Sequence, residues 1–131
     1  MKSLVVEDDF TSSLLLQEIL KKYGPCQTAP DGQKALEAVR AASESGAPFD
    51  LICLDIMMPE MDGQQALQQI RALEKAQRDV SRSGAKIIMT TALSDPKNVV
   101  EAFSGLADAY LVKPIDKARL LEELRKLKLI E

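Results

Sequence analysis

Acidic side chains stand at the ends of two apolar runs in this sequence. Glu7, Asp8 and Asp9 follow the run SLVV, and Asp55 ends the run FDLICLD. Carboxylates held close together repel one another, and a bound cation relieves that repulsion. Oxygen ligands favour a hard cation, and Mg²⁺ is the best match because it also binds phosphate oxygens. The pattern therefore predicts a magnesium site.

Two further polar residues follow apolar runs and suit the same chemistry. Thr91 ends the run AKIIMTT, and Lys113 follows the run AYLV. A lysine supplies a positive charge and a threonine hydroxyl a donor, and both stabilise the oxygens of a phosphoryl group in transfer. A carboxylate at the centre of such a site can attack phosphorus and form an aspartyl phosphate.

Each of these residues also has an ordinary structural interpretation. Asp8 or Asp9 could be the N-cap of the first helix, since aspartate is favoured there. Taken alone, Asp55 could be a turn residue, Thr91 an ordinary strand residue and Lys113 a solvated side chain. Their joint position at strand ends favours a common site over five separate coincidences.

The composition narrows the classes of protein that this sequence can encode. With 131 residues, 46% of them apolar and 28% charged, it is typical of one globular domain. The absence of histidine excludes Ser-His-Asp triads, Cys-His dyads and histidine-ligated metals. A net charge of −3 without a basic stripe argues against direct nucleic-acid binding.

The cysteines and the apolar runs bear on the compartment. The chain has two cysteines, Cys26 and Cys53, which fit a reduced core better than a disulfide framework. Its apolar runs are too short for a membrane span, and its first residues do not form a secretory signal. We therefore expect a cytoplasmic protein with no membrane insertion.

Short apolar runs alternate with segments of helical periodicity. The pattern predicts five strands, at residues 3–6, 26–29, 49–55, 85–91 and 109–112, of which the second (CQTA) is poorly signalled. It predicts helices over residues 11–23 and from Asp31, Asp62, Asp95 and Asp116. This alternation indicates a parallel sheet with right-handed crossovers and helices on both faces. The strand-end residues named above then meet at the carboxyl ends of the strands, where such folds bind ligands.

Four segments of the sequence resemble the receiver domain of two-component response regulators. They are LVVEDD (4–9), LICLDIMMPEMDG (51–63), IIMTTA (87–92) and DAYLVKP (108–114). The resemblance covers essentially the whole chain. It implies a single receiver domain over residues 1–131 with a flavodoxin-like (βα)5 fold, a doubly wound five-stranded parallel sheet with helices on both faces.

The resemblance also implies roles at the phosphorylation site. Asp55 is the phosphoacceptor, and Lys113 pairs with the phosphoryl group. Mg²⁺ is held by Asp8, Asp55 and the backbone carbonyl of Met57, with Glu7 acting largely through water.

A second group of implied roles concerns the switch. Thr91 moves to hydrogen-bond the phosphoryl group, Tyr110 rotates inward, and Pro114 follows a cis peptide bond. Met57 and Leu93 tune the rate of autodephosphorylation. Both side chains are apolar and cannot hydrogen-bond a water nucleophile, so we expect a long-lived phosphoryl group.

The partners follow from the same resemblance. The donor is a phosphohistidine on a histidine kinase or a histidine phosphotransfer protein, and since this sequence has no histidine we expect it to be another molecule. The chain is then a regulator rather than an enzyme, although it catalyses its own phosphotransfer and autodephosphorylation. We expect a stand-alone receiver without an output domain, which signals to an unidentified protein by changed contacts. In the family the usual face for this comprises the fourth helix, fifth strand and fifth helix.

Three alternatives remain open at this point. A phosphatase of the haloacid-dehalogenase type would normally have a second aspartate two residues after the nucleophile, where this chain has Met57. A flavodoxin-like cofactor binder would need a phosphate-binding loop after the first strand, where the acids EDD would repel phosphate. The chain could also be a receiver segment of a larger protein.

Overall fold

One parallel sheet organises the molecule. The structure, a computed structural model, describes residues 1–56, 63–77, 84–92 and 107–131. The strands are β1 (Ser3–Val6), β2 (Cys26–Ala29), β3 (Leu51–Asp55), β4 (Lys86–Thr91) and β5 (Ala109–Val112). They pair in parallel in the order β2-β1-β3-β4-β5. This is a flavodoxin-like order, so the predicted fold class is confirmed.

The helices of the described residues begin close to their predicted starts. They are α1 (Phe10–Leu20), extended by a 3₁₀ turn (Lys21–Tyr23), α2 (Gly32–Glu44), α3 (Gly63–Gln77) and α4 (Lys117–Lys126). Asp9, Asp31 and Asp116 are the N-caps of α1, α2 and α4, and each side chain accepts a hydrogen bond from a first-turn N–H. The helix predicted from Asp95 lies outside the described residues.

The helices cover both faces of the sheet. On one face, α2 and α3 bury Leu36, Leu67 and Ile70 against inward residues of β1, β3 and β4. On the other face, α1 and α4 bury Leu16 and Leu124 among a second set of strand residues. Successive strand residues point to opposite faces, so both sets of side chains come from the same strands.

Burial explains which strands the sequence signals clearly. Every residue of β1 and of β3 is buried, because both strands lie inside the sheet between two helical layers. β2 lies at an edge, where Gln27 and Thr28 are exposed, so its sequence carries little apolar signal. None of the helices in the described ranges is long and apolar enough to cross a membrane.

Candidate functional site

The candidate site lies where the order of the strands reverses. From β1 the chain continues outward to β2, whereas from β3 it continues in the opposite direction to β4 and β5. The crossovers on either side of β1 and β3 therefore diverge and leave a crevice at the carboxyl ends of these strands. Glu7 and Asp8 directly follow β1, and Asp55 ends β3, so the sheet brings the three acids to this crevice.

Three carboxylates form the centre of the site. Oxygen atoms of Glu7, Asp8 and Asp55 all lie within 4.8 Å of one another. Glu7 and Asp55 are buried, whereas Asp8 is exposed. The arrangement offers only hard oxygen donors and is open to solvent on the Asp8 side. It has the donor set that suits a hydrated Mg²⁺ ion.

Lys113 supplies a positive charge at this cluster. Its Nζ lies 2.6 Å from Glu7 Oε1 and 3.2 Å from Asp55 Oδ2. The backbone N–H of Lys113 donates to the carbonyl oxygen of Thr91 at 2.6 Å, which ties the end of β5 to the end of β4. The bond from Lys113 to Pro114 is cis.

The protonation equilibria reflect this crowding. Burial is the main cause that raises the pKa of the Glu7 carboxyl, and the hydrogen bond with Asp55 and the charge of Asp55 add to it. Burial by itself would lower the pKa of the Lys113 ammonium, but its interactions with Glu7 and Asp55 outweigh burial and raise it. The ammonium therefore stays charged beside the two acids.

One oxygen of the cluster shows how the site fits a cation. Within the described part of the chain, the buried Glu7 Oε1 accepts no aligned hydrogen bond, and the Lys113 ammonium is its compensating contact. A buried carboxylate oxygen without a hydrogen bond is costly, and a metal ion is one group that satisfies it. The residues present therefore fit a divalent cation.

Asp9 has a different role from its acidic neighbours. Its Oδ2 accepts hydrogen bonds from Ser12 N at 2.9 Å and from Ser12 Oγ at 2.7 Å. These bonds to Ser12 lower the pKa of the Asp9 carboxyl. Of the two cap candidates that the sequence allows, Asp9 is the residue that caps α1.

The two switch candidates, Thr91 and Tyr110, lie on the neighbouring strands β4 and β5. Thr91 is buried at the end of β4, and its register partner on β5 is Val112. Tyr110 pairs with Met89, and its hydroxyl oxygen is buried without a hydrogen-bond partner within the described part of the chain. Burial raises the pKa of this phenol. Met57 and Leu93 lie outside the described residues.

The pairing of Lys113 with Glu7 is a feature that sequence reasoning missed. The sequence marks both residues as strand-end groups, but it does not specify the strand order. In the sheet β1 and β5 are separated by β3 and β4, so the contact depends on the length of the lysine side chain. The resemblance had assigned Lys113 to the phosphoryl group alone.

Comparisons with known proteins agree with this geometry. Residues 3–125 match the family described as response regulator receiver domain. The chemotaxis protein CheY of Listeria monocytogenes is 34% identical over 126 residues, which cover 96% of this chain and 97% of that protein. The transcriptional regulatory protein ZraR of Salmonella typhimurium is 38% identical over 124 residues, which cover 94% of this chain. The chain spans only about a quarter (25%) of the length of ZraR.

A solved structure gives the same fold. In the complex of CheX and CheY with BeF3 and Mg²⁺ from Borrelia burgdorferi, the matched chain is 27% identical and has a TM-score of 0.79. The match covers 100% of this chain and 90% of that chain.

Proposed function

The chain belongs to the response regulator receiver domain family, and on that premise we propose that it is a two-component phosphoacceptor switch phosphorylated at Asp55. The observation that carries this proposal is that the buried Asp55 carboxylate lies 3.2 Å from Lys113 Nζ, with carboxylate oxygens of Glu7 and Asp8 within 4.8 Å. We further propose that residues 1–131 form a single receiver domain. The extent of the family match and the packing of all described helices on one sheet support this.

Magnesium is the cofactor that this site suits. Receiver domains typically bind Mg²⁺ in an acidic pocket, and the CheX–CheY complex contains it. Here Glu7, Asp8 and Asp55, with the backbone carbonyl of Met57, would hold the ion. Bound there, Mg²⁺ would offset the charge of the carboxylates and of the incoming phosphoryl oxygens.

In phosphoryl transfer, the Asp55 carboxylate is the nucleophile and Lys113 is the neighbouring cation. A carboxylate oxygen of Asp55 forms a bond to phosphorus while the phosphorus–nitrogen bond of a donor phosphohistidine breaks, and the electron pair of that bond stays on the imidazole nitrogen. Lys113 Nζ, which lies 3.2 Å from Asp55 Oδ2, is within reach of an oxygen of the transferred group. The chain acts here as a phosphoacceptor regulator that promotes its own modification.

The switch follows from the same charge. A phosphoryl group adds acceptor oxygens at the end of β3, where Asp55 is in register with Thr90 of the neighbouring β4. Thr91, the next residue, ends β4 and carries a hydroxyl that can donate a hydrogen bond. We propose that Thr91 moves toward this group and that Tyr110 rotates with it. Tyr110 has no hydrogen-bond partner for its hydroxyl among the described residues, which supports a ring that can change position at little cost in hydrogen bonds.

Partners and signal lifetime complete the proposal. Receiver domains interact with histidine kinases and phosphotransfer proteins. Phe10, two residues after Asp8 in the sequence, is 78% exposed and offers an approaching donor an apolar contact. We propose that phosphorylation changes contacts with a target protein in the cytoplasm. The apolar residues Met57 and Leu93 would slow autodephosphorylation.

Labelling with acetyl phosphate tests the phosphoacceptor. With Mg²⁺, wild type should gain the mass of one phosphoryl group by intact mass spectrometry, and EDTA should abolish the gain. Asp55→Asn should not be labelled. Asp50→Asn is the matched control, since Asp50 is an aspartate before β3 that accepts a hydrogen bond from Lys2 N, and it should be labelled like wild type. Full labelling of Asp55→Asn would overturn the assignment.

A further inference from the structure

Arg71, Glu74 and Asp108 form a charged cluster that we call the clasp. It lies at the amino-terminal ends of β4 and β5, whereas the acid cluster lies at the carboxyl ends of the strands. Arg71 donates to Glu74 Oε1 at 2.8 Å, to the Ala85 carbonyl at 2.8 Å and to Asp108 Oδ2 at 3.0 Å. Glu74 Oε2 accepts from Ala85 N at 2.7 Å. Asp108 Oδ2 accepts from Ile87 N at 2.8 Å. The clasp therefore joins α3, the start of β4 and the residue before β5.

The clasp is partly buried and closely fitted. The exposed fractions of its three side chains are 23%, 19% and 27%. A Cβ atom on Gly84 would lie 2.5 Å from Glu74 Oε1, so a larger residue there would displace the carboxylate. Charge-assisted hydrogen bonds with this degree of burial are stronger than exposed surface pairs.

Asp108 holds β5 at a single residue of β4. Its backbone N–H donates to the Ile87 carbonyl at 2.8 Å, while its carboxylate accepts from the Ile87 N–H. β5 is only four residues long and lies at the edge of the sheet. At its other end the Lys113 N–H donates to Thr91. The two attachments fix the register of this short strand together with its pairing along β4.

We propose that Asp108, oriented by Arg71, is a positioning residue for Lys113 in the phosphoacceptor site. The inference rests on the proposed function. A shift of one residue along a strand moves each residue by about 3.3 Å, which is as long as the 3.2 Å contact of Lys113 with Asp55. The same shift would turn Tyr110 to the other face of the sheet. The register of β5 thus decides whether Lys113 reaches the acceptor.

The proposal predicts separate effects on labelling and on metal binding. In Asp108→Ala and Arg71→Met, the rate of Asp55 labelling by acetyl phosphate should fall about tenfold, the factor expected when a charge-assisted hydrogen bond is lost. The Kd for Mg²⁺ should not rise, because the three acids belong to the ends of β1 and β3 and a displaced Lys113 competes less with the ion for them. Asp108→Asn keeps an oxygen that can accept from Ile87 N, and it should label nearly as fast as wild type.

A double-mutant cycle distinguishes positioning from a general loss of stability. If Asp108 acts through Lys113, then Asp108→Ala should slow the residual labelling of Lys113→Met by less than twofold. Asp31→Ala removes the N-cap of α2, which carries no proposed site residue, and is the stability control. Asp31→Ala should lower the melting temperature, and its labelling rate should equal that of wild type.

The outcomes separate this inference from the proposed function. If wild type labels at Asp55 but Asp108→Ala and Arg71→Met label equally fast, the positioning role is overturned and the phosphoacceptor stands. The positioning role would also be overturned if Asp108→Ala lowered the labelling rate by the same factor in wild type and in Lys113→Met. If wild type itself is not labelled at Asp55, the proposed function fails. Should Asp108→Ala not fold, Arg71→Met carries the same comparison.

Discussion

Among single residues, Lys113 links the stability of the fold to the chemistry of the site. Its ammonium contacts Glu7 and Asp55, which are both buried. Two buried carboxylates without a cation would be strongly unfavourable, so the lysine compensates them when no metal is bound. A residue placed to meet a phosphoryl group therefore also stabilises the metal-free protein.

Removing the Lys113 charge should expose this double role. Lys113→Met should lower the free energy of unfolding by about 3 kcal/mol without metal, because it leaves buried carboxylates unpaired. Urea denaturation measures this loss. Added Mg²⁺ should stabilise the variant more than wild type, since the uncompensated acids attract the ion more strongly.

The control is a lysine in an exposed pair. Lys34 lies 3.4 Å from Glu37, and both side chains are more than half exposed. Lys34→Met should cost less than about 0.5 kcal/mol, as is usual for exposed pairs. Similar losses in the two variants would contradict the compensating role of Lys113.

At the scale of elements, the sequence was most informative where strands are buried on both faces. β1 was predicted within its observed bounds, and β3 and β4 were predicted with their observed ends but began slightly early. β2 had to be inferred from the gap between two helices, because an edge strand with exposed polar residues lacks an apolar run. Sequence reasoning also named every described acid of the site, since each follows a strand.

What the sequence could not give is contact between elements that are distant along the chain. In the sequence Asp108 stands out only as the first residue of DAYLVKP, because its hydrogen bond with Ile87 N depends on the register of β5 on β4. Arg71 and Glu74 read as ordinary residues on the polar face of a helix. Their partners become visible only when α3 is placed beside the start of β4.

The start of α1 allows a prediction that separates a helix cap from a metal ligand. Asp9→Ala should lower the melting temperature, because it removes the hydrogen bonds to Ser12 that cap α1. It should leave the rise in melting temperature on adding Mg²⁺ unchanged. Asp8→Asn should do the reverse: it should reduce the Mg²⁺ response and spare the helix.

Thermal denaturation with and without Mg²⁺ measures both variants. Circular dichroism at low temperature checks that each variant is folded. Loss of the Mg²⁺ response in Asp9→Ala would move Asp9 into the metal site and refute its assignment as a cap alone.

For the molecule as a whole, one sheet connects the site to the core. Cys53 lies on β3, two residues before Asp55 and within the cluster buried by α1 and α4. Burial raises the pKa of its thiol to about 12. The native thiol is therefore protonated at pH 8 and shielded from reagents, and it reacts when the strands around it separate.

This makes the alkylation of Cys53 a measure of how metal binding stabilises the entire fold. In Cys26→Ser, which removes the half-buried second thiol, the reaction with a thiolate-directed reagent at pH 8 should be slow, with a rate proportional to the equilibrium population of the unfolded state. Mg²⁺ at a hundredfold excess over its Kd should stabilise the native state by about 2.7 kcal/mol and slow the reaction about a hundredfold. In Cys26→Ser with Asp8→Asn, the same Mg²⁺ concentration should slow it much less, because a ligand is missing. If the rate of Cys53 alkylation does not change with Mg²⁺ while calorimetry shows that the ion binds, then metal binding is not coupled to the stability of the central strands.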